Sequence, residues 1–276
     1  MQNLFTILHV FVKYRIWSYD IYMPNVKEII DLMEGGKESR LNKKETELIN
    51  KAYKFAEKAH EGQERMSGEL YFMHVFETAK ILAKLGMDTQ TVVTGFLHDV
   101  LEDTKITEEE IKKEFSEEIL FLIKGVTKLG TLKYHGHQRH VESLRKFFVA
   151  MANDLRVVII KFADRLHNLR TLEFIREDKR TRIAIESIEV YAPLANRLGM
   201  GKLKGEIEDA AFPFAYPKEY GEVEEIIKGK KEEYEKYLEE VKQELEKELR
   251  KNKIKVSEIS YRIKHKYSLY RKLLRY

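Results

Sequence analysis

Cysteine is absent from the 276 residues, which excludes disulfides, thiolate metal sites and thiol nucleophiles. Proline is scarce, at 4, so long stretches run without a helix breaker. No run approaches ~18 consecutive apolar residues, so no membrane-spanning helix and no membrane partner are expected. A reducing, cytoplasmic setting fits this composition. What remains reads largely as helix. Leu48, Ala52, Phe55 and Ala59 recur at helical spacing, as do Val190, Leu194 and Leu198. Thr107 followed by Glu110 is a capping-box signature that starts a short helix. An all-α fold is expected for most of the chain.

The polar exceptions carry the chemistry. In TVVTGFLHDVLEDT, His98 and Asp99 sit among Val92, Val93, Phe96, Leu97, Val100 and Leu101. An unpartnered carboxylate in such surroundings costs several kcal/mol or more, and a divalent metal is an effective partner. Glu102 and Asp103 follow one turn later, so a single helix is expected to project all four groups in neighbouring directions. His74 opens the amphipathic run YFMHVFET, and Asp164 follows the apolar stretch of VVIIKFADRLHNLRTL. Asp164, Asn168 and Thr171 share a helical face. Two imidazoles and two carboxylates suit Mn²⁺, Fe²⁺ or Zn²⁺ better than Ca²⁺. The pattern points to a metal-dependent hydrolase.

The order H…HD…D resembles the HD phosphohydrolase superfamily. AHEGQERMSGELYFMH, GFLHDVLEDT, FLIKGVTKLG, VVIIKFADRLHNLRTL and IEVYAPLANRLGMGKLKGEIEDAAF narrow the likeness. Together they resemble the hydrolase domain of the Rel/Spo homologue family, which handles guanosine tetra- and pentaphosphate alarmones. The likeness implies an HD-domain helical bundle and stringent-response control through hydrolysis of the 3′-pyrophosphate, giving GDP or GTP. It implies one Mn²⁺ held by His74, His98, Asp99 and Asp164. By the same resemblance Glu102 and Asp103 orient or deprotonate the attacking water. Arg65 and Ser67 grip guanine and phosphates, with Tyr71, Asn168 and Thr171 lining the nucleoside side. Three positions depart from the pattern: Met66 stands where Lys is usual, and Leu70 and Val75 where Pro is usual. These departures bear on substrate affinity rather than on the metal ligands.

Charge divides the rest. Residues 218–252 hold 9 Lys/Arg against 12 Asp/Glu, and residues 253–276 hold 8 against Glu258 alone. The first piece reads as a charged linker helix whose stripe Tyr234, Leu238, Val241, Leu245 and Leu249 is expected to pack on something. In the second, Ile254, Val256, Ile259, Tyr261 and Ile263 alternate as a strand would. YRIKHKYSLYRKLLRY then resembles the opening of the family's α/β synthetase domain, where Arg262, Lys264, His265, Ser268 and Lys272 match phosphate-holding positions. The synthetase carboxylates lie beyond this text, so synthesis is not expected. The expected division is 1–22 as an N-terminal extension, with Met23 the natural start, 23–217 as the hydrolase domain, 218–252 as the linker and 253–276 as the beginning of a synthetase domain.

Other readings stay open. His74 could be a hydrogen-bonded core histidine, and Glu102 and Asp103 a solvated acidic pair. His167 reads as structural, off the face of Asp164. His135, His137 and His140 read as a surface loop rather than a second metal site. The expected partner is a guanine alarmone nucleotide, and a second copy of the chain is not excluded. Neither nucleic acid nor a ribosome is indicated. Alternatives to the alarmone hydrolase are another HD-type nucleotide phosphohydrolase and a non-catalytic alarmone sensor.

Overall fold

Asn42 and Thr107 each start a helix by closing a capping box. Asn42 Oδ1 accepts from the Glu45 amide at 3.0 Å, and Glu45 accepts in return from the Asn42 amide at 2.9 Å. Thr107 and Glu110 repeat the exchange at 3.2 and 2.7 Å. Each box satisfies two backbone donors that a helix start leaves over.

The computed structural model describes residues 24–35, 41–130, 137–261 and 263–275. Its elements begin with α1 (Val26–Gly35), α2 (Lys43–Ala59), α3 (Tyr71–Lys84), α4 (Thr89–Leu97), α5 (Val100–Asp103) and α6 (Glu108–Glu114). Then come α7 (Glu117–Gly130), α8 (His137–Asn153), α9 (Leu155–Arg170) and a 3₁₀ turn at Leu172–Phe174. After α10 (Glu177–Glu186), a π-helical turn at Ser187–Tyr191 leads into α11 (Ala192–Arg197). The last elements are α12 (Gly201–Ala215), α13 (Pro217–Ile227), α14 (Lys231–Lys251) and α15 (Lys266–Leu273). The fold is all-α, with no strand among the described residues beyond one isolated bridge between Glu64 and Leu70. None of the described helices is long and apolar enough to cross a membrane.

Helices α3, α4 and α9 form the centre. In α4 every residue except Gln90 is buried, and α9 buries Val157 to Ile160, Phe162 to Asp164, Leu166, His167 and Leu169. A helix apolar on nearly all sides belongs in the middle of a bundle. α4 packs on α2 and α3, while α9 packs on α3, α7, α8 and α12. Gly95 permits the closest of these approaches. A Cβ there would meet Leu82 Cδ1 at 2.7 Å and the Ala79 Cα at 3.0 Å.

Four expectations are corrected. The apolar run does not continue as one helix through Asp103: α4 ends at Leu97, and His98 and Asp99 stand at the junction with α5. There the Asp99 carbonyl accepts from both Glu102 and Asp103, at 3.1 and 2.9 Å, restarting the helix. No strand forms over 254–261, where Ile254, Val256 and Tyr261 stay exposed. A lone strand has no neighbour to take its backbone donors and acceptors. The α14 stripe is not packed away either, since Tyr234, Val241 and Leu245 are exposed. Finally, His137 and His140 belong to α8 rather than to a loop, while their side chains and His135 lie outside the described residues. Residues 1–22 and Arg262 also lie outside them.

The segment from His265 through α15 folds back onto the bundle. Asp209 of α12 accepts the Lys266 and Tyr267 amides at 3.2 and 3.0 Å, so one carboxylate caps α15 from another helix. His265 Nδ1 lies 3.1 Å from the same carboxylate. Its ring fills the space over Gly205, where a Cβ would come within 2.2 Å. Tyr267 meets Phe212 edge-on and Tyr270 stacks on it, with ring centroids 5.2 Å apart in each pair. Gly205→Ala is therefore expected to displace His265 and loosen α15. Hydrogen exchange should show faster amides at 266–270 with α9 unchanged; unaltered exchange at 266–270 would contradict this docking.

Candidate active site

His98 closes α4, and its Nδ1 donates to the Gly95 carbonyl at 2.8 Å. In the neutral ring that commits the δ nitrogen and leaves Nε2 with a lone pair. Nε2 is buried with no hydrogen-bond partner, and it faces Asp99 Oδ2 at 3.2 Å and Asp164 Oδ1 at 3.9 Å. His74, on α3 and 1% exposed, turns its Nε2 to the same two carboxylates, at 3.4 and 3.3 Å. Its Nδ1 lies 2.8 Å from His167 Nδ1. One of these two nitrogens must donate and the other accept. Arg65 Nη1, a donor only, also points to His167 Nδ1 at 3.3 Å, so His167 is the acceptor and its proton sits on Nε2.

The electrostatics follow from that geometry. Burial works against an imidazolium at His98, but Asp99 and Asp164 outweigh it and raise its pKa to about 9. Burial likewise opposes ionisation of Asp99, yet His98 and His74 hold it well below the carboxylate range. Asp164 is held low against burial by Lys161, His74 and His98. For His167 burial, His74 and Arg65 all act together and push the pKa down to about 2. Two ε nitrogens and two carboxylates thus converge where positive charge is favoured. Donor atoms of His74, His98 and Asp99 lie within 4.8 Å of one another. With both δ nitrogens already committed, the set fits a divalent ion of the N/O type.

Asp164 is fixed from two sides. Lys161 Nζ donates to its Oδ2 at 2.6 Å and Asn168 Nδ2 to its Oδ1 at 2.5 Å. Asn168 and Thr171 also receive Arg65, through a short bond to Asn168 Oδ1 and one of 3.2 Å to Thr171 Oγ1. Arg65, Asn168 and Thr171 are therefore brought together, as expected. Ser67 is not: its hydroxyl stays within its own loop, 3.4 Å from the Glu69 amide. Leu70 keeps a φ of −58°, which is the angle a proline would impose. Tyr71 turns inward. Its hydroxyl lies 2.8 Å from Asp99 Oδ2 and 2.5 Å from Asp103 Oδ2, so one phenol joins Asp103 to the cluster. Burial, then Asp99 and Asp103, push its pKa up, so the phenol stays protonated. Glu102 and Asp103 are both exposed.

Lys161 and Gln63, which the sequence reading did not single out, join the site, and so does His167, which it read as structural and off the face of Asp164. Gln63 Nε2 donates to the Asp103 carbonyl at 2.9 Å. His167, three residues after Asp164, is a helical neighbour of it, and that spacing is the signal that could have placed it here. An outer hydrogen bond to a metal-ligating imidazole fixes the ring and its tautomer, and its loss typically weakens metal binding about 10–100-fold. His167→Ala is expected to do so, while His167→Asn retains an acceptor for the His74 proton and recovers most of the affinity. Calorimetric titration of the metal-free variants with a divalent ion measures this. Equal affinity in His167→Ala and wild type would remove His167 from the site.

The family model described as HD domain matches residues 52–201, a span that holds all four candidate ligands. The chain belongs to the HD domain family. A guanosine-3′,5′-bis(diphosphate) 3′-pyrophosphohydrolase of Aquifex aeolicus is 46% identical over 230 residues, covering 83% of this chain and 33% of the relative. A protein of the same name from Borreliella burgdorferi is 44% identical, covering 83% and 34%. A GTP pyrophosphokinase of Streptomyces coelicolor is 40% identical over 253 residues, covering 92% and 30%. The chain spans about a third of the length of these curated relatives.

Proposed function

We propose that this chain hydrolyses the 3′-pyrophosphate of guanosine tetra- and pentaphosphate to GDP or GTP and pyrophosphate, in stringent-response control. One observation carries the reading: His74, His98, Asp99 and Asp164 converge in a buried cluster that Tyr71 joins to Asp103. The substrate is supported by the names of the Aquifex and Borreliella relatives. In this proposal the four residues hold one Mn²⁺. When bound, the ion neutralises phosphate oxygens and lowers the pKa of water.

The protein's own groups do the rest. Asp103, steadied by the Tyr71 proton, keeps an oxygen to orient the attacking water, and Glu102 shares the proton taken from it. Lys161 and Asn168 hold Asp164 in one rotamer, which keeps its position independent of substrate. Arg65, tied to Asn168 and Thr171, presents a planar guanidinium already ordered for stacking on guanine. Arg65→Ala is expected to raise KM for the alarmone about tenfold, the equivalent of ~1.4 kcal/mol. Met66→Lys, at a side chain 78% exposed, should lower KM by adding a cation beside the polyphosphate. Steady-state kinetics at fixed Mn²⁺ measures both; unchanged KM values would leave the loop without a part in recognition.

Incubating the purified chain with guanosine tetraphosphate and Mn²⁺ tests the function. Chromatography should show GDP and pyrophosphate in equal amounts. Orthophosphate alone would favour another nucleotide phosphohydrolase, and tight binding without turnover would favour a sensor.

A further inference from the structure

Tyr71 has one phenolic proton and two carboxylate oxygens within reach, Asp99 Oδ2 at 2.8 Å and Asp103 Oδ2 at 2.5 Å. A small swing of the ring decides which carboxylate receives that proton. The ring is held on one face by His60, with centroids 4.7 Å apart and planes 16° from parallel. His60 directly follows α2 and is 2% exposed. The same imidazole also holds Gln63. Gln63 Nε2 donates to the Asp103 carbonyl at 2.9 Å, so its Oε1 faces His60 Nδ1 at 2.8 Å and accepts from it. Two backbone bonds tie the three residues together. The His60 carbonyl accepts the Gln63 amide at 3.1 Å, and the Gln63 carbonyl accepts the Tyr71 amide at 2.9 Å. Burial outweighs the bond to Gln63 and lowers the pKa of His60, which favours the neutral ring. Its Nε2 is buried with no hydrogen-bond partner. His60 thus hydrogen-bonds to neither carboxylate, yet it touches both side chains that hold Asp103: Gln63 at the carbonyl and Tyr71 at the carboxylate.

We propose that His60 is a positioning residue for Asp103: by stacking on Tyr71 and bonding Gln63, it fixes where the Asp103 carboxylate stands relative to the attacking water. The inference rests on the hydrolase reading above. Asp103 ends α5, a helix of 4 residues. So short a helix is not held by its own backbone, and its last residue takes its place from outside partners. Gln63 lies in the loop before α3 and Tyr71 opens α3, and His60 joins the two. Three of the candidate ligands are fixed independently of it. His98 is held by the Gly95 carbonyl, His74 by His167, and Asp164 by Lys161 and Asn168. The hold of His60 therefore falls on the base rather than on the metal.

His60→Ala should lower kcat about 10²-fold, the cost of misplacing a reacting group by ~1 Å, with KM and Mn²⁺ affinity unchanged. A double-variant cycle separates this from a merely structural part. Residues that act as a unit give non-additive losses, so His60→Ala should cost little further rate once Asp103→Asn is in place. Additive losses, or a wild-type kcat in His60→Ala, overturn the proposal. His60→Asn keeps a donor where Nδ1 stood and His60→Phe keeps the stacked ring, so each should recover part of kcat. If circular dichroism shows His60→Ala unfolded, the same cycle run with His60→Asn decides. Hydrogen exchange tests the hold without turnover. The Glu102 and Asp103 amides, bonded to the Asp99 carbonyl at 3.1 and 2.9 Å, should exchange faster in His60→Ala while α9 is unchanged. Unaltered exchange at 102–103 overturns the hold of His60 on Asp103. A wild-type chain that releases no GDP from guanosine tetraphosphate overturns the hydrolase reading instead, whatever the exchange shows.

Discussion

Asp99→Ala is expected to abolish alarmone hydrolysis and to strip the protein of bound metal while leaving its helical content in place. Asp99 Oδ2 is the atom that meets the most of the site: the His98 and His74 imidazoles, at 3.2 and 3.4 Å, and the Tyr71 hydroxyl at 2.8 Å. Removing it leaves two ε nitrogens with one carboxylate, and Asp164 already shares its charge with Lys161. The fold should survive, because Asp99 sits at a helix junction held by backbone bonds that its own carbonyl accepts. Elemental analysis, circular dichroism and a turnover assay on the same preparation decide it. Normal metal content or normal turnover would overturn the ligand assignment.

Asp103→Asn should separate chemistry from metal holding. The amide has the same shape and its oxygen can still accept from Tyr71, so the cluster is left intact. What disappears is a base able to take a proton from water, and such groups are worth about 10²–10⁴-fold in rate. The variant should therefore bind metal and alarmone normally and turn over slowly by that factor. Loss of metal in Asp103→Asn would make Asp103 a ligand instead.

The convergence of His74, His98, Asp99 and Asp164 was legible because each stands out locally, as a polar group in an apolar run such as GFLHDV or IIKFADR. The capping boxes were legible for a similar reason, since their partners are three residues apart. Contacts across long separations were not. His167 meets His74 over 93 residues, and Tyr71 meets Asp99 and Asp103 over 28 and 32. Tyr71 was thus expected on the nucleoside side and lies against the carboxylates. The alternation after Asn252 shows a different limit. It records which residues could share a strand face, but a strand also needs a neighbour, and none forms there. His265 illustrates the same point, since its space over Gly205 depends on how α12 and α15 dock.

The account stands on water attacking the 3′ phosphorus at the His/Asp cluster. The direct measurement is hydrolysis of guanosine tetraphosphate in H₂¹⁸O by protein stripped of metal and then restored with Mn²⁺, with mass spectrometry of both products. One ¹⁸O atom is expected in pyrophosphate and none in GDP, with no reaction before the metal is returned. Label in GDP, release of orthophosphate alone, or full turnover by the stripped protein would contradict it.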